Sequence, residues 1–381
     1  MNPGRIFAIF LSLGCRCFGG PVAHIGYYRS EFVVRRGWLD ERAYADLVAL
    51  CQFLPGPTSS QIGMLLGWRQ GGWAGLLAAW VGFTLPSALL MIAAGLALAH
   101  FDPVAAGPWI HGMKIAVLAI VGGAVAAMWR SLCGDRWRAS LALATAAGVL
   151  LAPQAWLQLP ILAVAGLAGW WLPPSTAGTA PAPAVRLPTR RSAALCLLLL
   201  AAGLFTLPLF AQPLTALCAD LFRTGSLVVG GGHVVLPLLT ASMVETGRIP
   251  ADTLLVGYGL AQVVPGPMFA VAGFIGTVLH GPWAGLLAIA AIFAPGALIA
   301  VAALPVWERI MHHAGARRIA DGLGAGVVGL LVAALYDPVA VGALHAPRDA
   351  ALACLALAAM LLRCPPWLLV PACAGLNALA G

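Results

Sequence analysis

Apolar residues in this chain run in blocks long enough to cross about 30 Å of hydrocarbon at about 1.5 Å per residue, separated by short polar breaks. The blocks predict helices near 4–27, 46–67, 72–99, 108–129, 138–152, 155–172, 193–210, 218–243, 252–279, 282–305, 319–336, 349–362 and 365–380, about thirteen in all. The expected fold is therefore an all-α polytopic membrane protein. Arg16, Gly19, Gly20 and Pro21 interrupt the first block, so it lacks the unbroken apolar core of a cleaved signal peptide.

Two blocks carry the same break. Residues 54–61 read LPGPTSSQ and residues 264–271 read VPGPMFAV. Proline lacks the N–H and clashes with the preceding turn, and glycine is too free, so the triplet ends a helix. Laid without a gap on 260–290, residues 50–80 are identical at 13 of 31 positions, including Gln52, Pro55, Gly56, Pro57, Gly63, Gly71 and the run from Trp73 to Ala78. The same offset sets Gly112 on Gly322. Shifted by one, FGGPVAH (18–24) meets VGGGHVV (229–235). The chain thus reads as an internal duplication: a membrane repeat at 1–172, a Pro/Ala-rich linker at 173–192, and a second repeat at 193–381 with one additional helix.

Orientation follows from arginine, because cytoplasmic loops retain Lys and Arg. Loop 130–138 holds Arg130, Arg136 and Arg138 while 100–107 holds none; in the second repeat 306–318 holds Arg309, Arg317 and Arg318 while 337–348 holds only Arg348. The repeats are expected to be inverted, with 4–27 and 46–67 partly re-entrant as one way to accommodate the arginines of 29–42.

Composition agrees with a bilayer. Hydrophobic residues make up 61% of the 381, charged residues 9%, and mean hydropathy is +0.93. Inverted repeats with broken helices are a transporter plan in which half-helix ends meet near the midplane around the substrate. Thr58, Ser59 and Ser60 follow the first triplet, and a helix start with free N–H groups and a positive dipole end attracts anions. Gly19, Gly20, Gly231 and Gly232 could present backbone N–H groups as a nest. The formal net charge of +8 fits an anion but is inflated by positive-inside loops.

At these residues the chain resembles the chromate ion transporter family, through FGGPVAHIGYYRSEFVVRRGWL, LPGPTSSQIGMLLGWRQGGWAGLLAAWVGFTLPS, SLVVGGGHVVLPLL and AQVVPGPMFAVAGFIG. The resemblance implies a multi-pass protein of the bacterial inner membrane that exports chromate, a tetrahedral dianion similar to sulfate, on the proton motive force and so confers chromate resistance. Sulfate transport and a passive anion channel are the alternatives. Chromate, protons and lipid are the implied partners, nucleic acid is not, no cofactor is expected, and a homodimer is left open. Met268, Phe269 and Ala270 stand where the first repeat has Thr58, Ser59 and Ser60, so the first repeat is expected to carry more of the anion contacts.

The expected substrate set is Gly19, Gly20, Gln52, Pro55, Gly56, Pro57, Thr58, Ser59, Lys114, Gly231, Gly232, Gln262, Pro265, Gly266, Pro267 and Met268. Lys114, the single lysine, reads either as a counter-charge or as a snorkelling anchor. Gln52 and Gln262, three residues before each triplet, could donate to an oxyanion or cap a helix. His24 and His233 follow the glycine motifs as proton-coupling candidates or as buried hydrogen-bonded histidines. Glu31 and Arg35 are further coupling candidates whose i, i+4 spacing also suits a surface ion pair. Among nine cysteines only Cys15 and Cys17 are close, and no histidine or carboxylate completes a zinc-like set there. The acidic residues are scattered rather than gathered as a catalytic pair, and no P-loop Gly-Lys exists, which disfavours an enzyme or an ATP-driven pump.

Overall fold

The computed structural model describes residues 1–18, 20–98, 103–152, 155–171, 173, 188–210, 212–228, 234–305, 313–362 and 364–380, and among these all regular structure is helical. Thr58–Leu98, Gly107–Arg130, Arg190–Leu209, Pro282–Ala303 and Asp321–Ala343 are long and apolar enough to cross a membrane. The protein is an all-α polytopic membrane protein. Two compact units form: one from Met1–Leu96, Ala177–Gly232 and Val264–His313, the other from Ala97–Thr176, His233–Val263 and Ala314–Gly381. Each unit draws on both sides of the linker.

The first unit contains α1 (Pro3–Gly14), α2 (Gly20–Tyr28), α3 (Glu41–Phe53), α4 (Thr58–Leu98), α8 (Arg190–Thr206), α9 (Pro213–Leu227), α12 (Val271–His280) and α13 (Pro282–Ala303). The block at 4–27 is two helices, because the glycine-rich segment breaks it. The block at 218–243 also divides, with α9 ending at Leu227. α4 is a hairpin. Gly71 and Gly72 leave helical geometry, and a Cβ on Gly67 would lie 2.3 Å from the Gly75 carbonyl oxygen, so the second limb returns along the first. At the same place in the second repeat Gly281, with φ of 84°, turns α12 into α13, and Gly285 lies against Thr277. The limb from Thr58 to the bend and the ten-residue α12 reach about 15–20 Å at helical rise, roughly half of a bilayer core. The triplets therefore start half-length helices.

The second unit contains α5 (Pro103–Leu132), α6 (Arg136–Leu151), α7 (Ala155–Ala168), α10 (Val235–Leu239), α11 (Ala251–Val263), α14 (Ala314–Ala334), α15 (Pro347–Leu361) and α16 (Pro366–Ala380). Its helices pack by exchange between repeats. α5 lies on α15 and α16, and its counterpart α14 lies on α6 and α7. Small residues permit the approach: a Cβ on Gly112 would meet the Cys373 carbonyl oxygen at 2.4 Å, and one on the equivalent Gly322 would meet that of Ala165 at 2.5 Å. Ala116, Ala119 and Ile120 of α5 bury against Ala356, Leu369, Val370 and Cys373. Cys133 beyond α5 buries with Ala142, Ala325 and Val328. α5 and α14 run antiparallel: His111 near the start of α5 meets Asp349 beyond the end of α14, while Arg138 after α5 pairs with Asp321 near the start of α14. Antiparallel equivalents are what an inverted repeat requires.

Candidate functional site

Both triplets lie in the first unit, and each is seated on the opposite repeat. The Gly56 N–H donates to the Val228 carbonyl at 2.6 Å, and the Gly266 N–H donates to the Cys17 carbonyl at 2.9 Å. Cys17 and Val228 are equivalent positions just before the two glycine-rich segments, so the exchange is reciprocal. Gly56 has φ of 126° and Gly266 of 105°, a region that L side chains avoid. A Cβ on Gly56 would sit 2.9 Å from the Gly296 Cα of α13, and one on Gly266 would sit 2.9 Å from Ser87 Oγ on the second limb of α4. The glycines are thus fixed both by backbone sign and by close approach.

The first break is the polar one. α4 starts at Thr58 as an α-helix, and the N–H groups of a first turn have no intrahelical acceptor. Thr58, Ser59, Ser60 and Gln61 are all buried. Gln61, which the sequence did not single out, holds the loop: its Nε2 donates to the Pro55 carbonyl at 2.8 Å and to the Gly296 carbonyl at 3.0 Å. Two carbonyl acceptors fix which end of the amide faces the loop. Ser60 Oγ and Gln61 Oε1 are buried with no hydrogen-bond partner, as are Tyr28 OH and Thr84 Oγ1. Such groups are costly in a dry interior. The second break begins with a 3-10 turn at Met268–Ala270, where three apolar side chains are buried.

His24 joins the two breaks. Its Nδ1 lies 3.2 Å from Ser59 Oγ and its Nε2 lies 3.3 Å from the Cys17 carbonyl, the same oxygen that receives the Gly266 N–H. A carbonyl only accepts, so Nε2 carries the proton and, in the neutral ring, Nδ1 accepts from the Ser59 hydroxyl. The ring packs edge-on against Phe83. Gly20 approaches the second break as well, a Cβ there lying 3.9 Å from Met268 Cε.

The remaining expected residues are distributed as follows. Gln52 is exposed on α3. Pro55, Pro57, Pro265 and Pro267 flank the seated glycines. Glu31 and Arg35 form the expected i, i+4 pair at 2.9 Å, but the carboxylate is buried rather than at the surface and also receives Arg36 at 2.7 Å. Lys114 and Gln262 belong to the second unit. Lys114 is buried and donates to Asp252 of α11 at 2.7 Å, so it is already paired. Gln262 is buried and bonds Tyr258. Gly19, Gly231, Gly232 and His233 lie outside the described residues.

Comparison with known proteins supplies the family. The family described as Chromate transporter matches residues 4–170 and 215–378. The chain is 30% identical to the chromate transport protein of Pseudomonas aeruginosa over 91% of its own length and 83% of that protein. It is 28% identical to the chromate transport protein of Cupriavidus metallidurans over 87% of its length and 81% of that protein. With the probable chromate transport protein of Synechococcus elongatus it shares 27% identity, over 86% and 82%. No solved structure matches the chain. The family match runs through both halves and both seated breaks, and this chain belongs to the chromate transporter family.

Proposed function

We propose that this chain is a secondary transporter that exports chromate across the bacterial inner membrane on the proton motive force and so confers chromate resistance. The observation that carries the proposal is the reciprocal seating of the two triplets, which holds open a buried helix start lined by Thr58, Ser59 and Ser60. A tetrahedral dianion accepts hydrogen bonds on every oxygen and donates none. The first-turn N–H groups, the Thr58 hydroxyl and the unpartnered Ser60 hydroxyl are the matching donors, while the Ser59 hydroxyl is committed to His24 Nδ1 as long as that ring is neutral. Gly20 and Met268 border the same breaks. Family membership and the names of the relatives support chromate as the cargo.

The energetics permit a site of little net charge. Hydrogen bonds to a charged group contribute about 1.5–3 kcal/mol each, and a partly buried helix end up to ~2 kcal/mol. A membrane potential negative inside favours exit of a dianion by about 4.6 kcal/mol per 100 mV, twice the single-charge value. His24, bonded to Ser59, is the coupling residue: a proton added at Nδ1 turns the ring from acceptor to donor and reverses the Ser59 hydroxyl. Glu31 already serves two guanidinium groups, which leaves it the weaker coupling candidate.

Uptake of labelled chromate into inverted vesicles tests the proposal, with and without an uncoupler and with excess sulfate. Flux that collapses with the proton gradient while the membrane potential is held fixed supports proton-coupled transport, flux that follows the potential alone indicates a channel, and inhibition by excess sulfate makes the site a general oxyanion site.

A further inference from the structure

The second unit gathers three metal-ligand side chains from two helices and the segment that precedes one of them. His111 comes from α5, His345 from the segment before α15, and Asp349 from the first turn of α15; one ligand atom from each lies within 4.8 Å of the others. His111 Nε2 is 3.1 Å from Asp349 Oδ1. The two imidazoles stack with centroids 5.2 Å apart. Ligands about 2.0–2.2 Å from one tetrahedral ion stand roughly 3.3–3.6 Å from each other, so the His111–Asp349 pair need open only slightly to share an ion.

The carboxylate is prepared for this. Asp349 is buried, and its Oδ2 accepts the backbone N–H groups of His345 and Ala346 at 2.9 and 2.8 Å. These bonds fix the carboxylate from the outside, as the outer partners of metal ligands do. Its Oδ1, by contrast, is buried, receives no backbone N–H and faces the His111 imidazole. His345 is exposed, which gives an ion a way in. Two features oppose a cation: the Arg348 Nε stands 3.9 Å from Oδ1, on a side chain exposed enough to swing aside, and the start of α15 carries a positive dipole end. They make the site a moderate binder rather than a structural trap.

We propose that His111, His345 and Asp349 bind one divalent first-row transition ion of the borderline class that imidazole and carboxylate favour, Zn2+ being the type, with a water-exposed position left open. Bound there, the ion ties the start of α5 to the start of α15. The arginine distribution sets this end opposite the cytoplasmic loops, so the ion enters from outside the cell. The proposal is independent of what the protein transports.

Calorimetric titration of the full chain in detergent, purified without a polyhistidine tag, with Zn2+ as the only added metal, tests it. Each variant is read against the unaltered chain, so that ions taken up by other histidines and by cysteines cancel. His345→Ala, His111→Ala and Asp349→Asn should each remove one Zn2+ per chain or weaken it by about tenfold or more, and Zn2+ should raise the melting temperature of the unaltered chain but not of His345→Ala. His345 is exposed, so that variant keeps the test sound if Asp349→Asn misfolds. Zn2+ stoichiometry and affinity unchanged in His345→Ala and His111→Ala, or a melting temperature indifferent to Zn2+ in the unaltered chain, would overturn the site and leave a His–Asp ion pair.

Discussion

The two proline-glycine-proline breaks share a backbone and differ in chemistry. Each glycine holds a positive φ and donates to the carbonyl before the other repeat's glycine-rich segment. Beyond that point they part: the first opens an α-helix with Thr58, Ser59, Ser60 and Gln61, the second a 3-10 turn with Met268, Phe269 and Ala270. Duplication thus preserved what shapes the chain and let the side chains at the two helix starts diverge. Backbone bonds need only a glycine and a carbonyl, whereas the oxyanion site proposed above needs donors, which only the first start carries.

The largest effect is expected at the seated glycines. Gly56→Ala places a Cβ against both the clamped Gln61 amide and the Gly296 backbone; strain and overpacking together cost about 2–6 kcal/mol, and vesicle transport should be lost. Gly266→Ala meets the Ser87 hydroxyl, which can turn away by giving up its bond to the Thr84 carbonyl, and then the Ser87 Cβ at 3.2 Å and the Phe83 carbonyl oxygen at 3.3 Å, which need move only slightly, so strain dominates, about 1–3 kcal/mol. Equal drops in melting temperature in detergent would break the comparison.

Lys114 tests whether the breaks balance the dianion unaided. As a counter-charge, Lys114→Ala should abolish transport with expression intact, Lys114→Arg should retain part of it, and Asp252→Asn, which frees the ammonium, should retain transport. Normal flux in Lys114→Ala would reduce the residue to an anchor for α11 and leave charge balance to the helix start.

The asymmetry itself is read by Thr58→Val against Met268→Leu. Loss of one hydrogen bond to a charged group is worth about 1.5–3 kcal/mol, so Thr58→Val should weaken apparent chromate affinity about tenfold or more, with little change in Met268→Leu. Equal losses in concentration-dependent uptake would refute the division of labour.

The smallest effect is a control in the second unit, distant from both breaks in sequence. The Asp135 carboxyl is held below the usual carboxylate range, chiefly by the Arg138 backbone N–H, with the Arg138 guanidinium and the Trp137 N–H adding to it. A depressed folded value means that the carboxylate stabilises the fold above a pH of about 4 and that this contribution is lost as the pH falls through the folded value. Asp135→Asn should cost about 1 kcal/mol or less at neutral pH, because the group is partly exposed and asparagine also caps a helix, and nothing in strong acid. Melting as a function of pH checks the sign, and the Thr58 to Met268 affinity ratio should stay as it was.

Much of this was legible along the chain. The blocks at 282–305 and 319–336 match α13 and most of α14, because a helix in lipid satisfies its backbone internally and needs only an apolar sequence. The triplets marked real breaks, because proline and glycine act locally. The blocks at 4–27 and 218–243 read as single helices but are divided, since hydropathy counts side chains and is blind to a carbonyl turned outward to a distant glycine. Gln61 resembled any other residue in its block, for its acceptors include a carbonyl 235 positions away. Lys114 looked unpaired because Asp252 is 138 positions distant.

The sequence by itself determined the solvent, the helices, the duplication and the places where helices stop, all of which rest on composition or on the conformational limits of neighbouring residues. Only the tertiary structure decided that each break is held by the opposite repeat, that α5 and α14 exchange partners, and that His24 links Ser59 to the Cys17 carbonyl. These are contacts between equivalent positions of two repeats, made when the chain folds back upon itself, and local preference carries no information about which distant group will arrive.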